Sequence, residues 1–98
     1  MNHLNELITN KEIFFRFIAE RGPVFTGANV FLRDIQYGIK FFFEKKNIKL
    51  EYAETEKLAF EFTSELSANG NLIKYNNYTW KVNFVFNEEL ITVGEKVS

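Results

Sequence analysis

Residues 78–86, YTWKVNFVF, alternate large apolar side chains with polar ones from Tyr78 to Phe84. A period of two puts successive side chains on opposite faces of a strand and is incompatible with a helix. Just before this run, Asn76-Asn77 suits a two-residue hairpin loop, because Asn tolerates positive φ better than most residues. The pattern therefore predicts a β-hairpin over residues 71–86.

Pairing around that loop places Tyr75 opposite Tyr78 and Ile73 opposite Trp80. One face of the hairpin would then be apolar and the other polar, as in a sheet that covers a core on one side. We expect the apolar face to be core; the alternative is an aromatic surface on which nucleic acid bases stack. The apolar face comprises Ile73, Tyr75, Tyr78, Trp80, Val82, Phe84 and Phe86, and the polar face comprises Lys74, Thr79, Lys81 and Asn83.

The stretch ITNKEIFFRFIAERGP has the start and stop signals of a helix. Thr9 and Glu12 have capping-box spacing, and Gly22-Pro23 follow where a helix ends. We predict a helix over residues 10–21. Its expected inner side chains are Ile13, Phe14, Phe17 and Ile18.

A second helix is predicted over residues 29–46, where Phe31, Ile35, Ile39 and Phe42 recur at helical spacing. A further apolar row runs down another side of this helix. Left bare, that row would form a patch that monomers rarely expose. We expect the sheet or another chain to cover it, and a homodimer is one such arrangement. The row comprises Val30, Tyr37 and Phe41.

The remaining segments complete an α+β fold. Residues 47–52 alternate and suit an extra strand, whereas residues 53–68 return to helical spacing and end at Asn69-Gly70. We predict three helices packed on a small antiparallel sheet, forming a single domain over residues 1–98.

Composition limits the chemistry. Cysteine is absent and His3 is the only histidine, so zinc sites and nucleophilic triads lack parts. We expect no catalytic residue, no metal and no cofactor. No apolar run approaches a membrane span and the first residues do not resemble a signal peptide, so we expect a cytoplasmic protein that binds no membrane.

Charge is unevenly distributed along the chain despite a net charge of −1. The helix at 53–68 is acidic around a Phe that its apolar stripe leaves out, and we predict this helix to contact a protein partner. Its named residues are Glu54, Glu56, Phe60, Glu61 and Glu65. A plain solvated face and a carboxylate metal site are the alternatives. The basic residues are either solubilising or contacts to nucleic acid; they are Arg33, Lys40, Lys45, Lys46, Lys74 and Lys81.

Residues 53–86, a helix ending at Asn69-Gly70 and then a hairpin, resemble the recognition helix and wing of winged-helix domains. The resemblance implies a helix in the DNA major groove, with Lys74 and Lys81 at positions of a basic wing. The helix carries four Glu and one Lys between residues 53 and 66, which phosphates would repel. Such a helix suits a protein better than DNA.

Two functions follow as hypotheses. The first is a small non-enzymatic protein-binding module, which in size and AT-rich composition resembles phage-encoded inhibitors of host or defence enzymes. The second is a winged-helix-type DNA-binding transcriptional regulator. A structural homo-oligomer built on the second apolar row is a third reading.

Overall fold

The computed structural model describes residues 3–22 and 24–85. Within them it contains four helices and a three-stranded antiparallel sheet, which confirms the α+β class. In chain order the elements are α1 (His3–Thr9), α2 (Lys11–Ala19), β1 (Asn29–Phe31), α3 (Leu32–Glu44), α4 (Tyr52–Ala68), β2 (Leu72–Asn76) and β3 (Thr79–Val82). Of the helices in this part of the chain, none combines the length and apolar character needed to cross a bilayer.

The sheet has the strand order β1-β3-β2, so the last strand lies in the middle. Residues 29–31, predicted as the start of a helix, instead form β1, with Val30 directly opposite Trp80. The loop before β1 extends this ladder, since the Gly27 N–H donates to the Val82 carbonyl at 2.8 Å. Val30 and Phe31 have helical spacing relative to the residues of α3, but their pairing with β3, about fifty residues later in the chain, makes them strand residues instead.

The hairpin forms with a register one residue away from the predicted one. Leu72 lies opposite Val82 and Lys74 opposite Trp80, with an irregularity between Lys74 and Asn76. The Asn76 side chain accepts a hydrogen bond from the Tyr78 N–H at 2.8 Å, which turns the chain at Asn77-Tyr78 rather than at Asn76-Asn77. A slip of one residue exchanges the two faces of a strand.

As a consequence, only part of the predicted aromatic face is core. Trp80 and Val82 are buried and Phe84 is half-buried, as expected. Leu72 (2% exposed) occupies the core position expected of Ile73 (42% exposed). Tyr75 and Tyr78 are exposed, contrary to the prediction, and Phe86 lies outside the described residues.

The core between α2, α3 and α4 is a cluster of phenylalanines. The Phe14 ring meets Phe15, Phe42 and Phe62 edge-on, with centroid distances of 5.6, 5.6 and 5.3 Å. Phe15 is fully buried, whereas Ile13, predicted inside, is exposed. The Phe15 ring contacts both Phe62 and Phe84. The buried face of α2 therefore includes a residue that the helical spacing of its own sequence did not indicate.

The helix predicted over residues 10–21 is α2, and a separate helix that was not predicted, α1, precedes it and ends at Thr9. Thr9 is the last residue of α1, and the Asn10 side-chain amide donates to the Glu6 carbonyl at 2.9 Å. The predicted Thr9–Glu12 capping box is therefore wrong, and α2 ends at Ala19 rather than at residue 21.

The connection between α3 and α4 is irregular, so the extra strand predicted over residues 47–52 is also wrong. Asn47 adopts φ 63° and the Ile48 N–H donates to the Phe43 carbonyl at 2.9 Å, a Schellman-type helix end. The alternation predicted burial correctly for Leu50, which is in the core, and for Ile48, which packs against it, but wrongly for Tyr52, which is 72% exposed.

The end of α4 is as predicted. Gly70 adopts φ 82°, and the Asn71 N–H donates to the Leu66 carbonyl at 2.8 Å. The buried stripe of this helix includes Leu58, Ala59, Phe62 and Leu66. This stripe fixes which side of α4 faces solvent.

Candidate protein-binding surface

The outward face of α4 carries the predicted acidic site. Phe60 is 44% exposed, which confirms that it lies away from the core. At 100° per residue, Phe60 lies beside Lys57 and Ser64 at the centre of this face. The acids stand at its flanks, with Glu54 and Glu65 exposed and Glu56 and Glu61 half-buried.

These carboxylates do not converge. Within residues 3–22 and 24–85, no group of three or more His, Asp or Glu side chains is arranged to hold a metal ion. His3 packs its ring against Phe43 at a centroid distance of 4.7 Å, which is a core contact at the end of α3.

The predicted basic set is spread over several parts of the surface. Lys45 lies 5.0 Å from the Phe17 ring, and Lys46 forms an ion pair with Glu6 at 3.0 Å. Both therefore lie at the α1–α2 side of the molecule, next to the end of α3. Arg33 and Lys40 lie elsewhere, on the exposed face of α3.

The two lysines of the hairpin were expected on one face, and the register places them on opposite faces. Lys74 lies opposite Trp80, on the core side of the sheet near α4. Lys81 lies opposite Ile73 and Asn29, on the outer side. A continuous basic wing is not formed by this pair.

A groove of about 430 Å³, which sequence reasoning did not anticipate, lies between the end of α2, β1 and α3. We call it the α2–α3 groove. Its wall and floor are mainly apolar, from Ile18, Val24, Phe31, Tyr37, Gly38 and Phe41. Arg21 and Asp34 add one charge of each sign at its border.

Two aromatic side chains border this groove and remain open to solvent. Phe31 is 49% exposed and Tyr37 is 58% exposed. Phe41 is half-buried, with the Arg21 guanidinium 4.8 Å above its ring. Phe31 belongs to β1 and therefore points away from the buried Val30, although its helical spacing had placed it inside.

The predicted row of Val30, Tyr37 and Phe41 is thus divided between two elements. Val30 is fully buried in β1, so it contributes nothing to a dimer surface. Tyr37 and Phe41 stay on α3 and line the groove. The sheet does not cover Tyr37. Of the two covers expected for this row, the sheet or another chain, another chain is therefore the one that remains for Tyr37.

Smaller depressions also adjoin the helices. A cleft of about 290 Å³ between α3 and the start of α4 shares Tyr37 with the α2–α3 groove and is otherwise lined by Arg33, Lys40 and Tyr52 among others. We call it the α3–α4 cleft. A third depression, of about 270 Å³, lies between α4 and the hairpin beside Phe60 and Lys74.

The outer side of the sheet carries exposed apolar side chains on its two edge strands, β1 and β2. Phe31 lies opposite Thr79 on β3, and Ile73 lies opposite Lys81. Ile73 and Tyr75 are both exposed. Thr79 and Lys81 of the central strand β3 therefore separate Phe31 from the exposed apolar side chains of β2.

Comparisons with protein families, curated proteins and solved structures find no match for this chain.

Proposed function

We propose that this chain is a small, non-enzymatic protein-binding module that binds its partner at the α2–α3 groove. The observation that carries the proposal is the groove of about 430 Å³ bordered by the solvent-exposed rings of Phe31 and Tyr37. Aromatic side chains around an apolar depression are typical of interface centres, where a few anchors supply most of the binding energy.

The surroundings of the groove support this proposal. Gly38 lets α2 and α3 approach closely, so two packed helices form the floor of the groove. Preformed concave surfaces lose little conformational freedom on binding. The predicted acidic face of α4 around Phe60 remains a second proposed contact to a protein. Phe60 is exposed there, and this face does not border the α2–α3 groove.

Within this proposal, a phage-type inhibitor of a host or defence enzyme is the form that size and composition suggest. The absence of a family match adds nothing to that suggestion. Identifying the bound protein tests whether the chain is an inhibitor. We expect the partner to be an enzyme whose activity falls when the chain binds.

A DNA-binding regulator of winged-helix type is the second candidate, and the order of the elements favours it. Helix α4 is followed directly by the β2–β3 hairpin, and this order of helix and hairpin is the one on which the resemblance rests. The would-be recognition helix α4 opposes it, since Glu54 and Glu65 flank its exposed face.

The test of the first proposal replaces one ring of the groove. Phe31→Ser removes an exposed aromatic side chain at the N-cap position of α3, where Ser is a favourable residue. We expect the fold to be retained. Affinity for the partner, isolated with the tagged full chain from the native cell, should fall by about 2 kcal/mol or more, roughly 30-fold.

Tyr75→Ser is the matched control, because it removes a similarly exposed ring from the far strand of the same sheet. Binding measured by calorimetry should be unchanged in this control. Equal losses in the two variants, or equal retention, would contradict a partner at the α2–α3 groove.

A further inference from the structure

The α3–α4 cleft has a chemical character different from that of the α2–α3 groove on the other side of Tyr37. It is lined by Arg33, Gln36, Tyr37, Lys40, Leu50, Tyr52 and Thr55, and no carboxylate is among these residues. Its polar side chains are therefore hydrogen-bond donors or groups that can donate. Glu51 and Glu54 belong to the same end of α4 but do not line the cleft.

Two cations lie on one side of the cleft. Arg33 and Lys40 are seven residues apart on α3, which is about two helical turns and so the same face of the helix. Neither forms an ion pair with a carboxylate of residues 3–22 or 24–85. Gln36 lies between them in sequence and lines the same cleft. The Lys40 ammonium lies 5.7 Å from the centroid of the Phe41 ring on the same helix. Two cations without a carboxylate partner beside one concave site favour an anion.

Two tyrosine rings form the other part of the wall. Tyr37 and Tyr52 come from different helices and are both exposed. The floor is closed by the buried residues Leu50 and Thr55, and the Thr55 hydroxyl already donates to the Glu51 carbonyl at 3.0 Å. The cleft thus offers flat apolar surface next to its cations.

We infer that the α3–α4 cleft binds a phosphate group attached to a flat heterocyclic ring, the chemistry of a nucleoside monophosphate. Arg33 and Lys40 hold the phosphate, since a guanidinium binds phosphate oxygens in pairs and an ammonium adds a point charge. Tyr37 and Tyr52 provide the faces on which the ring stacks. A free nucleotide and one residue of a single strand share this chemistry.

The size of the cleft agrees with such a ligand. Its volume of about 290 Å³ is just below the range of small-molecule sites, which runs from about 300 to 1,000 Å³, so only a small ligand fits. Tyr37 lines both sites, whereas Arg33, Lys40 and Tyr52 line the cleft and not the α2–α3 groove, so ligand binding can be tested without the protein partner.

The test is a titration of the isotope-labelled full chain with adenosine monophosphate, followed by amide chemical shifts at constant ionic strength. We expect saturable shifts confined to residues near Arg33, Lys40 and Tyr52. Arg33→Gln and Lys40→Gln should each weaken binding about tenfold or more. Lys74→Gln, a matched loss of charge on the hairpin, should leave the affinity unchanged.

Three further probes separate the parts of the ligand. Inorganic phosphate and adenosine should each bind more weakly than the monophosphate, and Tyr52→Ala should weaken the monophosphate while sparing inorganic phosphate. A short oligothymidine that shifts the same amides with higher affinity would identify a single strand as the source. Absence of saturable shifts, or an equal effect of Lys74→Gln, would overturn the inference.

Discussion

At the scale of single residues, Gly38 determines how α2 and α3 meet. Glycine in a helix interior ordinarily costs about 1 kcal/mol relative to alanine. Here a Cβ would collide with the Ile18 side chain and would lie 3.0 Å from the Phe14 Cζ atom. The missing side chain therefore allows the close helix contact that closes the floor of the α2–α3 groove.

Gly38→Ala should lower the free energy of unfolding by about 1–3 kcal/mol, the usual cost of overpacking, in spite of the better helix propensity of alanine. Gly22→Ala is the control, because no atom lies within 4 Å of a Cβ at that position. Urea unfolding followed by circular dichroism measures both. A Gly38→Ala protein as stable as the parent would mean that α2 and α3 do not approach as closely as described.

At the scale of elements, the hairpin shows that alternation in the sequence indicates which residues of one strand share a face, but not which face of the neighbouring strand is buried. The alternating run correctly indicates that Trp80 and Val82 share the core face of β3. The face of β2 depends on the turn, which comes at Asn77-Tyr78 and brings Leu72 rather than Ile73 inward. The same shift sends Lys74 to the side of Trp80.

The register can be tested with two neighbouring truncations. Leu72→Ala should cost about 2–5 kcal/mol in unfolding free energy, because it leaves a cavity beneath the sheet. Ile73→Ala should cost less than about 1 kcal/mol, since its side chain is largely in solvent and lies opposite Lys81. Thermal and chemical unfolding of the two variants measure both losses of unfolding free energy. A larger loss for Ile73→Ala than for Leu72→Ala would support the register in which Ile73 faces the core.

At the scale of the whole molecule, the distribution of charge over the surface bears on the proposed functions more than the net charge does. The basic residues lie on α3, at the α1–α2 side and on both faces of the hairpin, whereas α4 is acidic. A duplex contacts proteins through a row of phosphates and requires cations gathered on one surface. The spread of charge favours a protein partner, with room for a small anion at the α3–α4 cleft.

Binding to duplex DNA should therefore be no tighter than the roughly 10⁻⁴–10⁻⁶ M of non-specific complexes at physiological salt. Fluorescence anisotropy with a labelled duplex over a range of salt concentrations measures this. Lys81→Glu should change it little. Tight binding that is lost in Lys74→Glu and Lys81→Glu would instead favour the winged-helix regulator.

The sequence by itself determined those features whose cause is local. Asn69-Gly70 ends α4 because Gly70 adopts positive φ at low cost, and Trp80 is core because a period of two gives β3 only two faces. The exposure of Phe60 also follows from its angle to the stripe of its own helix. Of the groove, the sequence indicated Tyr37 and Phe41 as an apolar row without showing what they border.

Only the tertiary structure decided the rest, because the deciding contacts join residues far apart in the chain. Val30 became a strand residue by pairing with Trp80, and this turned Phe31 outward to border the groove. Arg33 and Tyr52 met in one cleft because α3 and α4 pack side by side. Local spacing fixes which side chains of an element share a face, but the neighbouring elements determine whether that face is buried, open or part of a site.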